Sequence, residues 1–137
     1  MMKHAAYIVL IYLIPLTVKA QQEPGAYLHA RAMMVQGKFD SALAWFDRAI
    51  EKDPADFEAL YYRGMARFQL GMYPAAAEDF LTVERRYNGR ASFMLAKTEI
   101  RLGRKELALK FLKDHLSSPN RRPEEIIRLV RYYESLD

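Results

Sequence analysis

Few residues in this sequence could carry chemistry, and their spacing argues against a catalytic or metal-binding centre. The chain has 137 residues and no cysteine, which excludes thiolate zinc ligands and cysteine nucleophiles. His29 and His115 lie far apart, and neither has a metal-ligand residue three or four positions away on its helix. We therefore interpret both as helix-buried or groove-edge histidines and expect no metal and no cofactor.

Adjacent carboxylates occur at Glu78–Asp79 and at Glu124–Glu125. Neighbours in a helix diverge by about 100°, so neither pair can face one proton as a general acid and base would. We interpret both pairs as solvated helix faces. The sequence also contains no Gly-rich phosphate loop after a strand and no Gly-x-Ser-x-Gly motif. These features predict that the protein is not an enzyme.

The first twenty residues differ from the rest of the chain. Lys3 precedes an apolar run of 14 residues from Ala5 to Val18, and Ala20 follows as a small residue suited to signal peptidase. As a helix this run is about 21 Å long, shorter than the roughly 30 Å of a hydrocarbon core. Residues 1–20 are therefore predicted to be a cleaved signal peptide, and the protein is expected to be periplasmic or secreted from a bacterium. The alternative is an uncleaved membrane tether, which mass spectrometry excludes if the mature chain begins at Gln21.

Charge gives little information about partners. Without Lys3 and Lys19 the chain keeps 19 of its 21 basic residues against 17 acidic ones, so the mature protein is nearly neutral. The basic pairs Arg85–Arg86 and Arg121–Arg122 are short enough to be ordinary surface. No nucleic-acid partner is expected.

An internal repeat dominates the remaining sequence. Glycine, alanine and a large apolar residue recur at fixed offsets, with spacings of 34 and 32 residues between the glycines. The repeated triplets are Gly37, Ala42 and Phe46; Gly71, Ala76 and Phe80; Gly103, Ala108 and Leu112. The glycines suit helix ends, the alanines suit close crossings of two helices, and Pro54, Pro74 and Pro123 suit helix starts.

This pattern resembles the tetratricopeptide repeat (TPR), and the stretch from Tyr61 to Gly71 is especially similar to that family. The resemblance implies an all-α solenoid over residues 21–137. We assign repeats to residues 23–56, 57–88 and 89–122, and a half repeat with a capping helix to residues 123–137. Seven helices are expected.

The resemblance also implies that the first helix of each pair lines a concave groove. Aromatic residues and methionines at equivalent places, together with basic residues, are then predicted to bind a partner. The predicted binding residues are Tyr27, Arg31, Met34, Tyr61, Met65, Phe68, Phe93, Lys97 and Arg101; Ile127 holds the place of Tyr27 in the half repeat.

These residues predict a non-catalytic adaptor or assembly factor that binds a protein or peptide. The carboxylate clamp by which some family members hold chaperone tails is not predicted, because Tyr27 and Arg31 stand where that clamp has Lys and Asn. The alternative is a homo-oligomeric scaffold joined through the exposed first repeat. Light scattering distinguishes the two, since a strict monomer at high concentration rules out the scaffold.

Overall fold

Seven α-helices and no strand are formed within residues 25–116 and 123–134, which the computed structural model describes. The helices are α1 (Ala26–Val35), α2 (Phe39–Lys52), α3 (Phe57–Gln69), α4 (Tyr73–Arg86), α5 (Ser92–Arg101), α6 (Lys105–Leu116) and α7 (Pro123–Glu134). Each helix packs on the next along the chain, and α1 also contacts α3. Three hairpins and a closing helix therefore follow one another, which confirms the predicted all-α solenoid.

Each hairpin turns at a glycine with left-handed backbone. The φ angles of Gly37, Gly71 and Gly103 are 70°, 76° and 73°. In the first hairpin the amide of Gly37 donates to the carbonyl of Met34 at 3.0 Å, so the turn also satisfies the end of α1. A side chain with a Cβ is strained at these φ values, which explains why the same residue recurs at this place.

The turn between the first two hairpins differs from its prediction in one detail. Pro54 was expected at the start of a helix, but it lies in the turn before Asp56, and α3 begins at Phe57. The Asp56 carboxylate accepts a hydrogen bond from the amide of Ala59 at 2.9 Å and so caps the helix. The capping carboxylate, not proline, defines this helix start.

The second junction is organised by a carboxylate from the preceding helix. Glu84 of α4 accepts hydrogen bonds from the amides of Gly89 and Ala91 at 2.7 and 2.8 Å. The hydroxyl of Ser92 donates to the same carboxylate at 2.5 Å. Gly89 has a φ of 84°, a feature that the repeat pattern did not indicate. One side chain therefore satisfies the amides that lead into α5.

Small residues lie where paired helices cross, as predicted. They are buried in all three hairpins: Ala30 with Ala42, Gly64 with Ala76, and Ala96 with Ala108. The approach is close in the second hairpin, where a Cβ added to Gly64 would lie 2.8 Å from the ring of Phe80. The large residues Phe46, Phe80 and Leu112 fill the space beside these crossings, and each is at most 1% exposed.

Asp79 corrects the interpretation of Glu78–Asp79 as a solvated face. Its side chain is only 4% exposed and accepts two hydrogen bonds from Arg63, with Nη2–Oδ1 and Nε–Oδ2 distances of 2.7 and 3.1 Å. Arg67 donates to Oδ2 at 2.8 Å. Glu78, by contrast, is exposed as expected. The two neighbours therefore have different roles because they diverge by about 100° around α4, one toward Arg63 and the other toward solvent.

The same ion network extends to a third helix. Arg63 also donates to Asp47 of α2, with an Nη1–Oδ1 distance of 2.7 Å. Burial opposes the charge of Arg63, but its hydrogen bonds to Asp79 and Asp47 outweigh this effect, so the pKa of Arg63 lies above its ordinary value. These contacts join α2, α3 and α4, and thus the first two hairpins.

Some predictions fall outside the described ranges. The expected signal peptide at residues 1–20 and the pair Arg121–Arg122 lie there, and the exact repeat boundaries stay predictions. Among the described helices, none has the length and apolar character needed to cross a membrane.

Candidate functional site

The first helices of the three hairpins, α1, α3 and α5, carry all nine predicted binding residues. Seven of the nine side chains are half-buried, and two, Lys97 and Arg101, are exposed. None of them is sealed in the interior. Contacts between α1 and α3, and from Lys97 of α5 to Phe68 of α3, connect these helices directly. We call the surface formed by these nine residues the groove face.

At its N-terminal end the groove face contains an aromatic pair with a cation. The rings of Tyr27 and Tyr62 have centroids 6.1 Å apart in an edge-to-face arrangement. Arg31 donates from Nη1 to the hydroxyl of Tyr27 at 2.9 Å, and its guanidinium carbon lies 3.8 Å from the centroid of Tyr62. Arg31 is therefore held by two rings, one from each of two successive repeats.

Tyr62 was not among the predicted binding residues, although it directly follows Tyr61 in the sequence. The two rings are 5.5 Å apart and nearly perpendicular. Tyr62 also stacks 6.4 Å from the buried ring of Phe46 in α2. It therefore connects the first hairpin's core to the groove face. The doubled tyrosine was the sequence signal that could have identified it.

Tyr61 in the middle of the groove face has one side against the core. Its ring lies 5.6 Å from that of Phe80, and Met65 and Phe68 pack against the same buried cluster. Burial raises the pKa of the Tyr61 hydroxyl, and the neighbouring Tyr62 raises it further. Both effects favour the neutral form of the Tyr61 hydroxyl.

At its C-terminal end the groove face presents a lysine between two rings. The ammonium of Lys97 lies 5.5 Å from the ring centroid of Phe68 and 5.7 Å from that of Phe93. The Phe93 ring in turn lies 6.2 Å from His115 of α6. A cation is therefore placed beside aromatic rings in both halves of the groove face, and in each case it bridges successive repeats.

The two histidines lie apart from one another, and each contacts other groups of the protein. His29 stacks on Trp45, with ring centroids 4.5 Å apart, and the guanidinium carbon of Arg48 lies 4.6 Å from the same indole. Nδ1 of His115 is 3.2 Å from the carbonyl oxygen of Gly89. No group of three or more histidines and carboxylates in the described ranges is arranged to hold a metal ion.

One side of α1 carries two exposed apolar residues. Leu28 is 59% exposed and Val35 is 87% exposed, the largest values among the exposed large apolar side chains in the described part of the chain. They lie seven positions apart, about two helical turns, and so share one side of α1. This is the surface on which the scaffold alternative depends.

The hairpin order and the face formed by the first helices define a helical-repeat protein of the solenoid class. A sequence model described as tetratricopeptide repeat matches residues 27–89 and again residues 65–123, which together span well over half of the chain. The protein belongs to the tetratricopeptide repeat family. No curated protein sequence matches it.

Solved structures share this fold at low sequence identity. The first TPR of Spaghetti (RPAP3), bound to an HSP90 peptide, is 22% identical with a TM-score of 0.71, covering 81% of this chain and 89% of that one. The Yersinia enterocolitica secretion chaperone SycD, in complex with a peptide of the translocator YopD, is 18% identical with a TM-score of 0.74, covering 80% and 90%. A thermophilic TPR protein of Thermus thermophilus is 25% identical with a TM-score of 0.69, covering 81% and 63%.

Proposed function

We propose that this protein is a non-catalytic interaction module, an adaptor or assembly factor, that binds a peptide or helix of another protein along the groove face. One observation carries the proposal: half-buried aromatic rings recur on α1, α3 and α5, with half-buried methionines on α1 and α3 and cations beside the rings. We further infer, from the predicted signal peptide alone, that it acts in the bacterial envelope or outside the cell.

Partly exposed rings suit a binding surface because they keep apolar area that a partner can cover. Rings already packed against the core, such as Tyr61 on Phe80, lose little side-chain freedom when a partner binds. Met34 and Met65 are half-buried on the same helices and can adapt to different side-chain shapes. The groove face therefore combines rigid anchors with adaptable contacts.

Structures of this fold in complex with peptides support the class of partner. The Spaghetti repeat holds an HSP90 peptide, and SycD holds a peptide of its translocator. At this low sequence identity, the similarity indicates a shared fold and does not indicate a shared ligand. We do not propose chaperone-tail binding, because Tyr27 and Arg31 occupy two clamp positions and are engaged with each other through a hydrogen bond.

A selection from a random-peptide library on the purified protein tests the proposal. We expect Tyr61→Ala combined with Phe93→Ala to weaken the binding of the selected peptides about tenfold or more, since two half-buried anchors are lost. Fluorescence anisotropy with the selected peptides measures the change.

The matched control removes two rings that are not on the groove face, through Trp45→Ala combined with Tyr87→Ala. Circular dichroism and thermal unfolding confirm that both variants stay folded. If the selected peptides bind the variant with Tyr61→Ala and Phe93→Ala as tightly as the unchanged protein, the groove face is excluded as the binding site. If the folded control variant loses the peptides equally, the loss is not specific to the groove face and the proposal is contradicted.

A further inference from the structure

Three residues of α5 form a stripe along the groove face. Phe93, Lys97 and Arg101 recur every four positions, so their Cα atoms rise about 6 Å per step along the helix axis. Phe93 is half-buried, whereas both cations are exposed. We call these three residues the α5 stripe.

The cations of the α5 stripe are not neutralised. Neither Lys97 nor Arg101 forms an ion pair with any carboxylate in residues 25–116 or 123–134. Within the described residues, Lys97 lies beside two aromatic rings and forms no ion pair, which leaves its ammonium donors available. The half repeat adds another exposed cation, Arg131, at the place equivalent to Lys97.

Carboxylates near the stripe are already used elsewhere. Glu99 lies between the two cations in sequence but is 2% exposed, and it pairs with Arg104 at 3.3 Å behind the groove face. Glu58 pairs with Arg90. The C-terminal half of the groove face thus has a local excess of positive charge.

The N-terminal half differs because its cation is engaged. Arg31 is hydrogen-bonded to Tyr27 and stacked on Tyr62, so a ligand carboxylate must compete with both contacts. The α5 stripe therefore offers two exposed cations to a ligand, whereas Arg31 is half-buried and already hydrogen-bonded.

We propose that the α5 stripe binds an amphipathic helix whose facing side chains are one apolar residue followed by two carboxylates at four-residue spacing. This inference rests on the proposed function and specifies which side chains the partner presents to the groove face. Residues i, i+4 and i+8 of a second helix have the same rise of about 6 Å per step, so the apolar side chain meets Phe93 while the carboxylates meet Lys97 and Arg101. Ridges of this spacing pack between helices in the commonest crossing class.

Three fluorescent peptides test the inference, each held helical by a lactam bridge on the side away from the protein. The first carries leucine, glutamate and glutamate at four-residue spacing in an alanine–glutamine host. The second replaces both glutamates with glutamine, and the third moves the glutamates to adjacent positions. We expect the first to bind about tenfold more tightly than either comparator, with a preference that falls as salt increases.

Charge reversal in the protein locates the contact. Lys97→Glu combined with Arg101→Glu is expected to remove the preference for the first peptide. Lys38→Glu combined with Lys110→Glu changes two exposed lysines outside α5 by the same charge and is expected to keep it. Equal affinity for the glutamate and glutamine peptides, or a preference that survives reversal in α5, overturns the inference. If none of the three peptides binds while library peptides still depend on Tyr61 and Phe93, this inference falls and the proposed function stands.

Discussion

Asp79→Ala is expected to lower the free energy of unfolding by about 3–5 kcal/mol, the cost of removing one partner from a buried ion pair. The substitution leaves Arg63 and Arg67 without their shared acceptor at a site where the Asp79 side chain is 4% exposed. Urea unfolding followed by circular dichroism measures the loss. For a domain with a total stability of about 5–15 kcal/mol, an effect of this size removes a large fraction of the free energy of unfolding.

The same network provides its own control. Asp47 pairs with Arg63 at the same 2.7 Å distance, but its side chain is 51% exposed. Asp47→Ala is therefore expected to cost about 0–1 kcal/mol, as for other solvent-exposed pairs. If the two substitutions lower the free energy of unfolding equally, burial does not determine the strength of these contacts. The network then does not fix the first two hairpins through the buried Asp79.

This network also matters for the groove face because Arg63 and Arg67 belong to α3. Both hold that helix against α4 through Asp79, while Tyr61, Met65 and Phe68 of the same helix contribute to the groove face. The buried ion pairs therefore set the rotation of α3 about its axis. Loss of Asp79 is expected to weaken groove binding even in molecules that remain folded.

The repeat pattern predicted the hairpins because backbone requirements restrict residue type. Gly37, Gly71 and Gly103 adopt left-handed φ angles at which a Cβ is strained, so the glycines mark the turns directly. The close helix crossings likewise restrict Ala42 and Ala76 to small side chains, and both are fully buried. Where the backbone or packing geometry permits few residue types, the sequence alone was sufficient to predict the turns and the helix crossings.

Burial of single charges could not be predicted in this way. Glu78 and Asp79 are chemically alike, and only the rotation of α4 decides that one is exposed and the other faces Arg63. The sequence signal was on the partner helix, where Arg63 and Arg67 lie one helical turn apart. Similarly, the place of Tyr62 on the groove depended on contacts with Tyr27 and Arg31 from another repeat.

Ala76→Leu is expected to cost about 1–3 kcal/mol, because it adds three carbon atoms at a fully buried helix crossing. Ala76 is fully buried, and on the facing helix a Cβ at Gly64 would already lie 2.8 Å from the ring of Phe80. Chemical unfolding measures the loss. Ala44→Leu makes the same change at an exposed position in the second helix of the first hairpin and is expected to change stability by less than about 0.5 kcal/mol.

The comparison of these two leucine variants separates packing from helix propensity, since alanine and leucine differ little in the latter. Only the crossing explains a difference between them. Because α3 and α4 must separate to admit the larger side chain, the distance from Tyr61 to Phe80 should also change, and library peptides that depend on Tyr61 should bind the Ala76→Leu variant more weakly. Equal stability of the two leucine variants contradicts a close crossing of α3 and α4. Small residues at that crossing would then not set the position of the groove face.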